Sequence, residues 1–153
     1  MPMQPDDPLS IQLYDQPGHL IRRAHQIAVA QFHEALGRDI TPVQYAVLRV
    51  LHEHPGIDQV TAAQMVALDT STTADIAARL EAKGWIVREL LPRRQRRLLL
   101  TPAGQALLAD LTPKMHRMQH TLMSRLAPAE QAEFMRLLRK FVHLDADDPA
   151  PRT

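Results

Sequence analysis

A chain of 153 residues with 45% hydrophobic and 23% charged side chains and a formal net charge of +1 is long enough for one domain with a packed core, short for two, and unlike a disordered segment. The absence of cysteine excludes disulfides, zinc-thiolate sites, thiol nucleophiles and cysteine redox switches. The start Met1-Pro2-Met3-Gln4-Pro5-Asp6-Asp7-Pro8 is acidic and proline-broken, and no apolar run approaches the roughly 20 residues that span a bilayer, so a cytoplasmic protein without membrane association is expected.

Alanine, leucine, arginine and glutamine fill the long segments, which favours helices. From Gly18 to Leu36 the positions Leu20, Ile21, Ala24, Ile27, Ala28, Phe32 and Leu36 follow an amphipathic helical rhythm, and Gly37 supplies a stop. Thr41-Pro42 offers an N-cap followed by proline at the first helical position, opening a second helix through Val43, Ala46, Val47, Val50 and Leu51 that ends at His54-Pro55-Gly56. Thr61 reads as the cap of a short third helix, Ala62 to Ala67. Asp69-Thr70-Ser71-Thr72 then punctuates the chain before a fourth helix that runs to Lys83 and is closed by Gly84. Trp85 to Leu90 and Leu98 to Thr101 are rich in strand formers, with Leu91 to Arg97 as a charged loop between them: a β-hairpin with a basic tip. Thr101-Pro102 opens a helix to about Leu126, with a kink or break expected at Pro113 because proline lacks the amide donor. Pro128 starts the last helix, in which Phe134, Leu137, Leu138, Phe141 and Val142 share a stripe. Residues 1–15 and 145–153 read as flexible tails.

The near-neutral total hides a local field. Between Arg79 and Arg97 stand seven basic side chains (Arg79, Lys83, Arg88, Arg93, Arg94, Arg96, Arg97) against two acidic ones, Glu81 and Glu89. Two short helices joined by a tight polar turn, then a glycine, then an arginine-tipped hairpin make the layout of a winged helix-turn-helix. The expected fold is mainly α with a small β-hairpin wing. Ile76, Ala77 and Leu80 are expected to pack inward. Ser71, Thr72, Thr73, Asp75 and Arg79 are then candidates for the major groove, the helix amides and positive dipole end facing phosphate. Arg88, Arg93, Arg94, Arg96 and Arg97 are the wing's candidates for DNA contact. A carboxylate near DNA is costly unless it accepts from a cytosine amino group or pairs with a cation, and Asp75 is expected to pair with Arg79.

The strings Thr61-Ala62-Ala63-Gln64-Met65-Val66, Leu68-Asp69-Thr70-Ser71-Thr72, Leu80-Glu81-Ala82-Lys83-Gly84-Trp85-Ile86 and Leu100-Thr101-Pro102-Ala103-Gly104 resemble the MarR family of bacterial regulators, over roughly Gly18 to Leu144. The resemblance implies one MarR-like unit over 1–153, with a winged DNA-binding lobe at 41–101 and dimerisation helices at 18–37 and 102–144. It further implies a homodimer on a palindromic double-stranded operator, recognition by Ser71 to Lys83, and a wing arginine in the minor groove. The family wing commonly reads Asp-Arg-Arg, whereas Pro92-Arg93-Arg94 puts proline in the acid's place. Arg94 then takes the position of the inserted arginine, and Arg93, Arg96 and Arg97 are left for phosphate.

The same resemblance implies a small-molecule effector, an aromatic carboxylate or phenol, bound between the dimerisation helices and the DNA-binding lobe. Gly18-His19-Leu20-Ile21-Arg22-Arg23-Ala24-His25 is similar to the first helix of members controlling aromatic-compound catabolism. His19, Arg22, Arg23, Tyr45 and Arg49 are the candidate ligand residues, a guanidinium being the natural anchor for a carboxylate. His116 and His120, one turn apart, raise a metal alternative, but no metal site or other cofactor is assigned. No glycine-rich phosphate loop, nucleophile elbow or paired-carboxylate signature is present, so no catalytic residue is expected. The alternatives are a ligand-blind or metal-responsive DNA-binding regulator, or a helical protein-interaction module without DNA binding.

Overall fold

The computed structural model describes residues 7–144, so residues 1–6 and the expected tail 145–153 lie outside the described residues. A 3-10 turn at Leu13–Asp15 leads into α1 (Pro17–Leu36), α2 (Pro42–Glu53), α3 (Gln59–Met65) and α4 (Thr70–Ala82). Strands β1 (Ile86–Leu90) and β2 (Arg96–Leu100) follow, then α5 (Pro102–Met123) and α6 (Pro128–Phe141). Within the stretch expected as a tail, the 3-10 turn at Leu13–Asp15 brings the Tyr14 ring to 6.0 Å from that of His19.

Local chemistry accounts for most boundaries. Thr41 and Gln44 form a reciprocal capping box, each side chain accepting the other's backbone N–H at 3.1 Å, and Pro42 occupies the first helical position. The cap of α3 is Asp58 rather than Thr61: its carboxylate accepts from the Thr61 amide (2.9 Å) and hydroxyl (2.6 Å). Of the kink or break expected at Pro113, the break does not occur: helix α5 runs as one helix through it.

The strands pair antiparallel with Glu89 opposite Arg97 and Arg88 opposite Leu98. Arg96 and Arg97 therefore belong to β2, not to the loop. Two strands alone are marginally stable in water, and this hairpin is tied along β2's outer edge by Leu98 N–H to the Ile57 carbonyl (2.9 Å) and Gly56 N–H to the Leu98 carbonyl (3.2 Å). Its inner face joins a core of Val47, Leu48, Leu51, Leu80, Ile86 and Leu98 that continues through Phe32, Leu108 and Leu111 between α1 and α5. Helix α6 buries none of its residues: Phe134, Leu137, Leu138 and Phe141 remain exposed, Phe141 at 61%.

Candidate nucleic-acid interface

Ala77 and Leu80 anchor α4 in the core, and Ser71, Thr72, Asp75 and Arg79 stand on its exposed face. Thr73 does not join them. It is 0% exposed and its hydroxyl donates to the Asp69 carbonyl at 2.9 Å, so it holds the helix rather than meeting a base, a correction to the expected contact set. The cap of α4 is Asp69. Its carboxylate accepts from the Thr72 amide (2.7 Å), the Thr72 hydroxyl (2.8 Å) and the Ser71 hydroxyl (3.0 Å), and these bonds, the Thr72 amide foremost, hold it below the usual carboxylate range. The Thr72 amide is thus occupied by a fixed anion and is not one of the helix-start amides available to phosphate. The two hydroxyls donate inward and keep lone pairs for a base-edge amino group. The expected Asp75–Arg79 pair is not among the five ion pairs of the described residues.

The hairpin sorts its arginines into two kinds. Arg93, Arg94 and Arg96 are exposed at the tip, where Leu91 N–H donates to the Gln95 carbonyl at 2.7 Å. Arg93 (φ 64°) and Arg94 (φ 61°) are consecutive left-handed residues, the conformation of a tight hairpin turn that glycine and asparagine favour. Arg88 is of the other kind: 19% exposed, it gives its amide (2.9 Å), Nε (3.3 Å) and Nη2 (3.0 Å) to Glu81 of α4, so its assignment to DNA is corrected. Its hydrogen bonds, side chain first, hold the Glu81 carboxyl below its usual range. Arg97 donates to Glu89 directly across the ladder (Nε to Oε2, 3.0 Å), and its Cδ would stand 3.3 Å from a Cβ on Gly56. This cross-strand pair takes Arg97 out of the free set, and Pro92 leaves the tip arginines without a neighbouring acid.

The ligand candidates do not converge within one chain. At the start of α1, Arg23 lies over the Tyr14 ring (5.7 Å to its centroid), Arg22 Nη2 lies 3.4 Å from His19 Nδ1, and both arginines are exposed. Tyr45 packs instead on Phe32 near the other end of α1 (centroids 6.1 Å), where burial pushes its phenol up against the opposing pull of Arg49, itself paired with Glu53 at 3.0 Å. Between His19 and Phe32 lie roughly 20 Å of helix axis. Sequence reasoning missed Tyr14, which it placed in a tail, and the acids Glu81 and Glu89. The Leu-Glu-x-Lys-Gly string and the register of the hairpin were the available signals.

His116 and His120 are both exposed on α5, and the described residues contain no group of three or more His, Asp or Glu side chains able to hold a metal ion. Among the described residues no helix is long and apolar enough to cross a membrane.

A family model described as the MarR family matches residues 40–97. The transcriptional regulator HosA of Escherichia coli O111:H- is 34% identical over 127 residues, covering 82% of this chain and 93% of the relative. The crystal structure of the PcaV transcriptional regulator from Streptomyces coelicolor in complex with its natural ligand superimposes with a TM-score of 0.82 at 34% identity, over 86% of this chain and 95% of that one. A structure of Bordetella bronchiseptica BpsR, whose DNA binding is regulated by 6-hydroxynicotinic acid, superimposes with a TM-score of 0.80 at 30% identity, over 86% and 97% of the two chains.

Proposed function

The chain belongs to the MarR family of winged helix-turn-helix transcription regulators, and from that premise we propose that it is a cytoplasmic repressor, without catalytic activity, that leaves a palindromic operator when it binds a small aromatic carboxylate. The DNA-binding part rests on one arrangement: the free arginines Arg93, Arg94 and Arg96 stand on a hairpin fastened to the helix that exposes Ser71 and Thr72. A guanidinium cluster beside a helix with short hydroxyls meets a phosphate backbone and base edges at once.

In this reading residues 41–101 are the DNA-binding lobe and 18–37 and 102–144 the dimerisation helices. The exposed stripe of α6 and the exposed Leu20, Ile21 and Ile27 of α1 support a second copy as their cover. Two lobes then present their α4 helices to major grooves about one helical turn apart on one DNA face.

The effector reading rests on Arg22 and Arg23 as carboxylate anchors and on Tyr45 as a ring partner, with His19 and Arg49 beside them. Because Arg22 and Arg23 stand roughly 14–15 Å of helix axis from Phe32, on which Tyr45 packs, a single small ligand that touches both sets takes one of them from a second copy. The 6-hydroxynicotinic acid that regulates BpsR supports the class of ligand, and the PcaV structure supports ligand binding on this fold. Release of DNA requires the ligand to favour the non-binding dimer by roughly 1–3 kcal/mol of coupling.

The test is binding to random-sequence duplex DNA across a salt series. Affinity that falls steeply and linearly on logarithmic axes is expected. A flat response would remove the DNA-binding reading and leave a protein-interaction module.

A further inference from the structure

Glu81 lies in the last turn of α4, and Arg88 is the third residue of β1. The Glu81 carboxylate closes on Arg88 through three donors, and they are of different origin. Oε2 takes the backbone amide at 2.9 Å, while Oε1 takes Nε at 3.3 Å and Nη2 at 3.0 Å. The amide bond fastens the main chain of the hairpin and the guanidinium bonds fasten its lean. On the opposite edge, β2 is tied to Gly56 and Ile57, in the link between α2 and α3. The hairpin is therefore held from both sides: its root meets α4 through Trp85 N–H to the Leu80 carbonyl (3.1 Å), and further out along β1 the Glu81 contact joins it to the helix that carries Ser71 and Thr72. Both partners are partly shielded, 19% exposed for the Arg88 side chain and 38% for that of Glu81, so the charge-assisted bonds are less screened than a surface pair.

Resting on the DNA-binding reading above, we infer that Glu81 is a positioning residue for DNA binding: by clamping Arg88 it sets the reach of the wing relative to α4, so that Arg93, Arg94 and Arg96 and the α4 hydroxyls engage one duplex together. Glu81 itself is an anion and touches no DNA in this scheme. It acts through the distance between two contact elements.

The experiment uses the full chain and a duplex selected from a random pool by the wild-type protein. Glu81→Ala, Glu81→Gln, Arg94→Ala and the combinations with Arg94→Ala are compared by affinity and by hydroxyl-radical footprint. Gln keeps an acceptor for the Arg88 amide, so it guards against simple loss of folding. Glu81→Ala is expected to weaken binding about tenfold, and Arg94→Ala to cost far less in either Glu81 variant than alone, because the wing has already lost its placement. Minor-groove protection by the wing should fade while major-groove protection by α4 persists. Additive losses, or protection that fades evenly in both grooves as for a less folded protein, would overturn the inference. Silence of Arg94→Ala in the wild-type background would overturn the wing contact itself, a different failure.

Discussion

A Cβ on Gly104 would stand 2.1 Å from the carbonyl oxygen of Trp85. The start of α5 thus touches the main chain at the root of the wing, and Thr101 doubles the link. Its hydroxyl donates to the Gly84 carbonyl (2.6 Å) and accepts from Gly104 N–H (3.1 Å), and its amide donates to the Trp85 carbonyl (3.0 Å). Since the obstacle is backbone, nothing flexible can yield. Gly104→Ala is expected to lower stability by about 3 kcal/mol and Thr101→Val by about 1 kcal/mol, both read from thermal unfolding.

Loss of a free wing arginine and loss of a clamped one should look different. Arg94→Ala is expected to weaken binding to a selected duplex by about 1–3 kcal/mol, and Arg96→Ala mainly to reduce the salt slope by about one unit. Arg97→Ala, whose partner is Glu89, should instead appear in the melting temperature. Equal effects of all three on DNA affinity would contradict the division drawn from the ion pairs.

The wing tip trades stability for charge. Two consecutive non-glycine residues in the left-handed region cost about 1–2 kcal/mol each, and Arg93 and Arg94 hold φ of 64° and 61°. Replacing them with the sequence Asn-Gly (Arg93→Asn, Arg94→Gly) is expected to raise the melting temperature while weakening DNA binding. A change of the same sign in both measurements would show that the tip does not hold this conformation.

The cap carboxylates predict an acid limb. Hydrogen bonds from Thr61 hold Asp58, and those from Thr72 and Ser71 hold Asp69, below the usual range. A carboxyl lowered in the folded state contributes stability that is fully present above its unfolded value and is lost as pH falls through the folded one, so the loss should begin below about pH 4. Asn caps as well as Asp but does not titrate. Asp58→Asn with Asp69→Asn should therefore lower the neutral melting temperature modestly, by the part that belongs to the ionised carboxylates, and flatten its decline in acid.

Gel shifts with a panel of benzoates and hydroxybenzoates test the effector reading. Wild type is expected to release DNA with at least one of them, and one of Arg22→Ala and Arg23→Ala to bind DNA yet resist release, since neighbouring helical positions face different ways. Tyr45→Ala should also resist. If no aromatic acid acts at millimolar concentration, the pocket assignment fails and a ligand-blind regulator stands.

The helices, the hairpin and their order were legible because each rests on neighbours in sequence: Thr41-Pro42 starts a helix wherever it is placed, and Leu98-Leu99-Leu100 suits a strand. Caps were legible only to within a few residues, for Asp58 and Thr61 both carry an oxygen that can accept an amide, and the backbone angles choose between them. Burial at single positions was less legible, since Thr73 looks like Ser71 and Thr72 until the helix is seated on Ala77 and Leu80.

The arginine run marked the wing as the basic edge of the molecule from sequence alone, because charge is a property of composition. Which arginines are free was decided by the fold: Glu81 and Arg88 meet across a helix-to-strand turn, and Glu89 and Arg97 meet through the register of the ladder. Likewise the residue types proposed for an aromatic acid stand in the sequence, but the fold sets Arg22 and Arg23 near the start of α1 and packs Tyr45 on Phe32 toward its other end. Ion pairs and binding sites depend on distances of a few ångströms between residues remote in sequence, and only packing fixes those distances.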